Sequence, residues 1–315
     1  MARDKTYVNA ICRSRESTLL GGDKLSRLLD SDYADCLRLL GEWGYQVAGE
    51  DYRTAISTER EKLVQFVKDF APTDETLCWV LDSYDFFNAE VSTRNAHLEG
   101  IELPYLPEGK VKVEEIRKAV AGDKSDTPDY LAKPIKEAVG LYQEDKATGA
   151  KISTLFADAY YGHLLSYVRT RVLKRLIQAE IDGKNLSVAI RSGEEEPLFL
   201  EGGTLGKEDL RFITKADRAK VERKFAYDSL GGLIRKALAA KEGKEQLVAF
   251  EKEAGSFGLR SLESKRYESE GILPFVLYFL YKSAEIDNVR VVMAGKRSGA
   301  DRDNIKARLK IGYGF

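Results

Sequence analysis

The stretch IDNVRVVMAGKRSG, residues 286–299, admits two readings, and the choice between them decides the fold. As a strand, Val289 to Ala294 would run into a glycine–lysine turn, where a phosphate-binding loop begins. As a helix, it would be something else. A phosphate loop requires G-x-x-x-x-G-K-[ST], because its backbone N–H groups cradle phosphates and its hydroxyl holds Mg²⁺. Counting back from Gly295 and Lys296, Arg290 stands where the first glycine belongs, and Arg297 occupies the hydroxyl position. The similar EGGTLGKED, residues 201–209, carries Glu201 and Glu208 at those two places, and an acid there repels phosphate. Both glycines therefore read as turns or helix ends.

The helical reading gains from two other segments, YDFFNAEVSTRNAHLEG and IDGKNLSVAIRSG. Together the three share a register: Asp85, Asn88 and Val91; Asp182, Asn185 and Val188; Glu285, Asn288 and Val291. Residues three apart lie on adjoining turns of a helix. An apolar helical stretch leads into each copy, and a glycine follows at Gly100, Gly193 and Gly295. The interval of roughly a hundred residues exceeds the 20–50 of a solenoid. It predicts three related helical lobes, residues 1–101, 102–200 and 201–315. A helix-interior asparagine is unfavourable unless its amide satisfies a neighbour. The three acid and asparagine pairs accordingly read as structural pins, with no nucleophile or base recurring beside them.

The rest of the chain agrees with an all-α fold. Only 7 prolines interrupt 315 residues. STEREKLVQFVKDF places Leu63, Phe66, Val67 and Phe70 on one helical face, with Thr58 and Glu61 at capping-box spacing. DKLSRLLDSDYADCLRLLGEWGY reads as two short helices, with Asp32 as a cap and Gly41 or Gly44 as the stop. STLFADAYYGHLLSYVRTRVLKRLIQAEI reads as one long helix tolerating Gly162. Weak strand signals are confined to VKVEEI and LFLEG. Loops are expected at 100–112, 121–129 and 191–209.

Composition narrows the function. The 50 Lys+Arg balance 51 Asp+Glu, a net charge of −1, which argues against a broad nucleic-acid surface. The longest apolar run, ILPFVLYFLY at 272–281, is too short to span a bilayer, and the N-terminus carries no signal-peptide core. Cys12, Cys36 and Cys78 are widely spaced and odd in number, which points to buried thiols in a reducing, cytosolic setting. His97 and His163 lack metal-ligand spacing and read as polar helix-surface residues. No catalytic, cofactor-binding or metal-ligating set is expected.

The C-terminal EIDNVRVVMAGKRSGADRDNIKARL resembles the end of the C-type subunit of archaeal and bacterial V/A-type ATPases, whose eukaryotic V-ATPase equivalent is termed d. The matching residues are Glu285, Ile286, Asn288, Val289, Arg290, Val292, Gly295, Lys296 and Gly299, then Ile305 and Leu309. YDFFNAEV and AEIDGKNLSVAIRS resemble the family's other two copies, with Glu90 where lysine is common. At the N-terminus Tyr7, Ala10, Arg13, Glu16, Leu19 and Leu20 match, while Ile11 and Cys12 depart from the family's arginine and Val/Ile. The resemblance implies three lobes around a pseudo-threefold axis forming a funnel. It implies a non-catalytic, cytoplasmic, peripheral rotor subunit between the central shaft (D/F type) and the membrane ring (c/K type), coupling ATP hydrolysis or synthesis to H⁺ or Na⁺ movement. Nucleotide would bind to other parts of the assembly, not to this chain. Arg13, Arg15, Arg94, Arg191, Arg290 and Lys296 are the candidate partner contacts, of which two or three are expected to serve. Two other classes stay open: a helical scaffold or adaptor unrelated to ATPases, and a helical enzyme using scattered carboxylates.

Overall fold

Residues 289–294, the disputed strand, are helical in the computed structural model, where they lie inside the 25-residue helix Leu273–Arg297. The structure describes residues 4–49, 51–100, 102–191 and 197–314. Helix makes up 71% of the described residues, and no strand forms among them. In chain order the helices are α1 (Lys5–Glu16), α2 (Gly22–Asp30), α3 (Tyr33–Glu42), α4 (Tyr52–Phe70), α5 (Asp74–His97), α6 (Val113–Ala121), α7 (Asp129–Gln143) and α8 (Gly149–Tyr167). They continue as α9 (Arg171–Arg191), α10 (Lys207–Lys215), α11 (Arg218–Lys224), α12 (Gly231–Ala239), α13 (Lys244–Glu263), α14 (Leu273–Arg297) and α15 (Arg302–Ala307).

Packing divides the chain into two units. One joins both chain ends, Met1–Thr73 and Glu208–Phe315, with Ala189–Arg191. Its axis is α14, against which α1, α4, α2, α3, α13 and α15 pack. Pro274 sits in the first turn of α14, where its missing N–H has no partner to lose. The run from Leu273 to Tyr278 is buried all round, as an apolar helix without a polar face must be. From α4, Leu63, Phe66 and Val67 are buried on the expected face. Phe66 stacks on Phe275 at 5.8 Å, with the Arg15 guanidinium 4.6 Å above its ring.

The other unit is Asp74–Val188 with Ser192–Lys207. Its axis is α5, covered by α6, α7 and α8. Phe86 and Ala89 of α5 meet Ile116, Leu131, Ile135, Ile152 and Phe156 in one core.

Several local expectations change. The Thr58 and Glu61 pair lies inside α4, which already begins at Tyr52 because Asp51 caps it, accepting from Arg53 N–H at 3.0 Å. The long helix expected through Gly162 is two helices, α8 and α9. Glu75 breaks it by accepting the N–H groups of Arg169 and Thr170 at 2.8 and 3.1 Å and the Thr170 hydroxyl at 2.6 Å. VKVEEI feeds α6, and LFLEG is irregular. Asp32 does cap α3, accepting from Asp35 N–H at 2.8 Å, and Gly44 takes a left-handed turn after it.

The histidines are half-buried rather than solvated. His163 stacks on Tyr130 at 4.2 Å, and His97 on Tyr142 at 4.4 Å. All three cysteines are free thiols, Cys12 and Cys36 buried and Cys78 half-buried. Burial pushes the Cys12 thiol up to about 12 and Cys36 to about 11, so neither is a ready nucleophile. Among the described residues no helix is long and apolar enough to cross a membrane.

Candidate functional site

The three repeat asparagines do the same thing in three places. Each is at most 1% exposed, and each pairs both faces of its amide with the backbone of one residue in an irregular segment downstream. Asn88 donates to Leu106 O at 2.6 Å and accepts Leu106 N–H at 2.8 Å. Asn185 exchanges the same two bonds with Leu200 at 2.9 and 2.8 Å. Asn288 does so with Lys310 at 3.0 and 2.8 Å. An amide satisfies both backbone groups at once, as no hydrophobe or carboxylate can. The LFLEG segment thus pairs not with a strand but with a side chain.

The acid one turn earlier also holds backbone. Asp85 accepts Val111 N–H at 2.9 Å. Asp182 accepts Thr204 N–H at 2.9 Å, the Thr204 hydroxyl at 2.5 Å and Leu205 N–H at 3.0 Å. Glu285, one methylene longer, reaches back to the N-terminal region. It accepts Leu20 N–H at 2.7 Å and the Tyr45 hydroxyl at 2.7 Å. In the first two copies a glycine passes directly over the carboxylate. A Cβ on Gly109 would overlap Asp85 Oδ1, and one on Gly203 would overlap Asp182 Oδ1.

One further turn back, the copies diverge: Asp82, Ala179 and Lys282. Asp82 is fully buried and ion-pairs with Lys110, while His163 Nε2 and the Tyr167 hydroxyl lie 3.1 Å from its other oxygen. Lys282 bridges Glu285 at 2.6 Å and Glu59 at 2.8 Å. Burial pushes the Lys282 ammonium down, but the two glutamates outweigh it and hold it above the ordinary value. Sequence reasoning misses these two ionic clusters. The signal available for them is a charge three residues before a repeat acid.

The glycine–lysine turns have structural explanations. Gly295 lies within α14, where a Cβ would come 2.6 Å from Ile305 Cγ1, so it admits α15 to the helix surface. It does not end the helix; Gly299, at φ +70°, takes that turn. Gly193 lies outside the described residues, whereas Gly100 follows α5 at φ +73°. Lys296 donates to Leu29 O at 2.6 Å, in the last turn of α2, where cations are favoured. Lys207 pairs at 2.7 Å with Glu201, the residue standing where a phosphate loop needs glycine.

The six candidate contacts separate by their geometry. Arg13 holds Glu16 at 2.8 Å and donates to the carbonyls of Arg266 and Glu268. Arg15 covers Phe66, and Arg94 spans Glu90, Gly149 O and Ser153. Lys296 braces α2. Arg191 and Arg290 have side chains 59% and 53% exposed; Arg191 donates to Glu251 in a surface ion pair, and Arg290 lies 3.9 Å from Asp287. Among the described residues no group of acids, histidines and cysteines is placed to hold a metal ion.

Comparison with known proteins covers most of the chain. A family model described as ATP synthase (C/AC39) subunit matches residues 8–308. The C-type subunit of the V-type sodium ATPase of Enterococcus hirae is 23% identical over 97% of this chain and 98% of its own length. The C-type subunit of the A-type ATP synthase of Haloferax volcanii is 25% identical over 97% of each chain. Its counterpart in the V-type ATP synthase of Thermus thermophilus is 26% identical over 95% of each.

Proposed function

This chain belongs to the ATP synthase (C/AC39) subunit family and is a non-catalytic subunit of a V/A-type ATPase; from that premise we propose that it is the rotor piece joining the central shaft to the membrane ring. In this reading it sits on the cytoplasmic face, binds shaft subunits of the D/F type and ring subunits of the c/K type, and passes torque between ATP turnover and H⁺ or Na⁺ movement. The observation that carries the proposal is the reach of the match, which runs over residues 8–308. We propose also that residues 1–101, 102–200 and 201–315 form three lobes about a pseudo-threefold axis, enclosing a funnel for the shaft. The identical use of Asn88, Asn185 and Asn288 supports a threefold repeat of the motif, with Asn88 reaching across the first of these boundaries to Leu106.

The test is reconstitution. Membranes bearing the complex without this chain should leave ATP hydrolysis by the soluble head intact and lose ATP-driven ion transport, with add-back restoring it. Transport that persists without the chain would sink the rotor role. A scaffold unrelated to ATPases would bind purified shaft or ring subunits no better than a control protein.

Arg191 and Arg290 are the cations we propose for the shaft contact, because the side chain of each is more than half exposed and sits in a surface ion pair. Reversing both to glutamate should weaken shaft binding by about tenfold or more, and the loss should shrink at high salt. Unchanged affinity would mean that this surface is the wrong one.

Titration calorimetry of the isolated chain with Mg-ATP should show no binding, since Arg290 and Arg297, like Glu201 and Glu208, stand where a phosphate loop needs glycine and a hydroxyl. Micromolar affinity that disappears in Lys296→Ala or Lys207→Ala would establish a nucleotide site instead.

A further inference from the structure

We propose that Asp85 is a proton-binding site that governs the docking of residues 102–112 on α5, the segment closing when Asp85 holds a proton and loosening when it ionises. The segment is irregular over 102–111 and is tied to α5 at successive points. Asn95 exchanges two bonds with Leu103 at 2.9 and 2.8 Å, Asn88 two with Leu106, and Asp85 accepts Val111 N–H. Gly109 lies against the Asp85 carboxylate, so the segment seals it from water.

Asp85 is fully buried, yet its Oδ2 has no hydrogen-bond partner among the described residues. The equivalent acids are better served: Asp182 by two N–H groups and a hydroxyl, Glu285 by an N–H, a tyrosine hydroxyl and an ammonium. An uncompensated buried carboxylate is expensive and takes up a proton instead.

The surroundings of Asp85 offer it no spare cation. On α5 itself, Asp82 lies one turn away and Cys78 two turns away. From the segment, Lys110 commits its ammonium to Asp82 and approaches the Cys78 thiol at 3.6 Å. Glu108, beside Gly109, also buries a carboxylate oxygen without a partner among the described residues. From α7, Tyr130 lies across Lys110 and stacks on His163. From α8, His163 and Tyr167 are both directed at Asp82, and Tyr160 bonds Trp79 O. From α6, Ile116 and Val120 face the core, while Glu115 is engaged with Lys118 and Asp126 N–H. Burial, with the Asp82 charge adding to it, outweighs the Val111 and Lys110 N–H groups and the Lys110 charge and pushes Asp85 up from 3.8 to about 6. A raised acid stabilises the closed state below the free value of 3.8, and that stabilisation is lost as pH rises through about 6.

Amide hydrogen exchange on the full chain tests the proposal. After correction for intrinsic rates, peptides covering 102–112 should lose protection by about tenfold between pH 5 and pH 8. Peptides over 200–205, held by Asp182, should not. Asp85→Asn, which mimics the protonated acid, should keep its protection across that range, while Glu108→Gln should behave like the wild type. A flat wild-type profile overturns the proposal. So does a dependence that survives in Asp85→Asn or disappears only in Glu108→Gln. Should Asp85→Asn fail to fold, carbon-13 carboxyl titration of the wild type decides: a midpoint near 6 for Asp85 supports the site, and a midpoint in the ordinary carboxylate range refutes it.

Discussion

Lys282→Met should destabilise the protein by about 3–5 kcal/mol at pH 7, the usual consequence of removing one partner from a buried ion pair. Lys282 is only 16% exposed, and it is the shared cation of Glu59 and Glu285, which are nearly inaccessible. Methionine fits the aliphatic stem but leaves Glu285 with the Tyr45 hydroxyl and Leu20 N–H, and Glu59 with the outward-facing Lys62. The pH dependence carries the diagnosis. Burial pushes Glu59 up, but Lys282 and Lys62 outweigh it and hold its carboxyl below the ordinary range. A depressed acid contributes stability above its unfolded value, and that stability is lost as pH falls through the folded one. The gap between wild type and variant should therefore be widest near neutrality and narrow as pH falls through the carboxylate range. Urea unfolding at pH 7 and pH 4 would show it. A loss under about 1 kcal/mol at pH 7 would mean that water solvates the cluster.

The second large effect belongs to Asn185→Leu, a change of similar volume that should lower stability by about 2–5 kcal/mol. It strands the N–H and the carbonyl of Leu200 in a buried site, each worth about 1–3 kcal/mol when left unpaired. Asn185→Asp should be worse near neutral pH. Its carboxylate still accepts the N–H, but it repels the carbonyl and buries a charge, and acidification should recover part of the loss. Chemical unfolding with exchange at the Leu200 amide measures both. If leucine left stability and Leu200 protection unchanged, the pin would carry no energy, and the repeat would be a pattern without a mechanical role.

These effects also mark where the sequence was legible. The asparagine, acid and valine register could be read without a structure because each pin is local to its helix: three-residue spacing places acid and amide on adjoining turns whatever surrounds them. The all-α composition, the face of α4, the cap at Asp32 and the failure of both phosphate-loop spacings were legible for the same reason. Each depends on residues within a few positions of one another.

What the pins hold was not legible. Asn185 reaches Leu200 and Glu285 reaches Leu20, and a helical register says nothing about which distant backbone group comes to meet it. The break between α8 and α9 is imposed by Glu75, more than ninety residues upstream. Nothing within the broken stretch announces it, since its own residues are compatible with continuous helix. Gly295 looked like a helix stop because glycine is permissive anywhere. Only the approach of Ile305 shows that it is there for packing. The surface arginines follow the same rule. Arg94 and Arg191 look alike in sequence, yet one is spent on Gly149 and Ser153 while the other stays at the surface. The sequence determined the all-α class, the register of the repeat and the family. Tertiary structure decided which charges are buried and which stay exposed, because burial is a property of what packs against a side chain and not of the side chain itself.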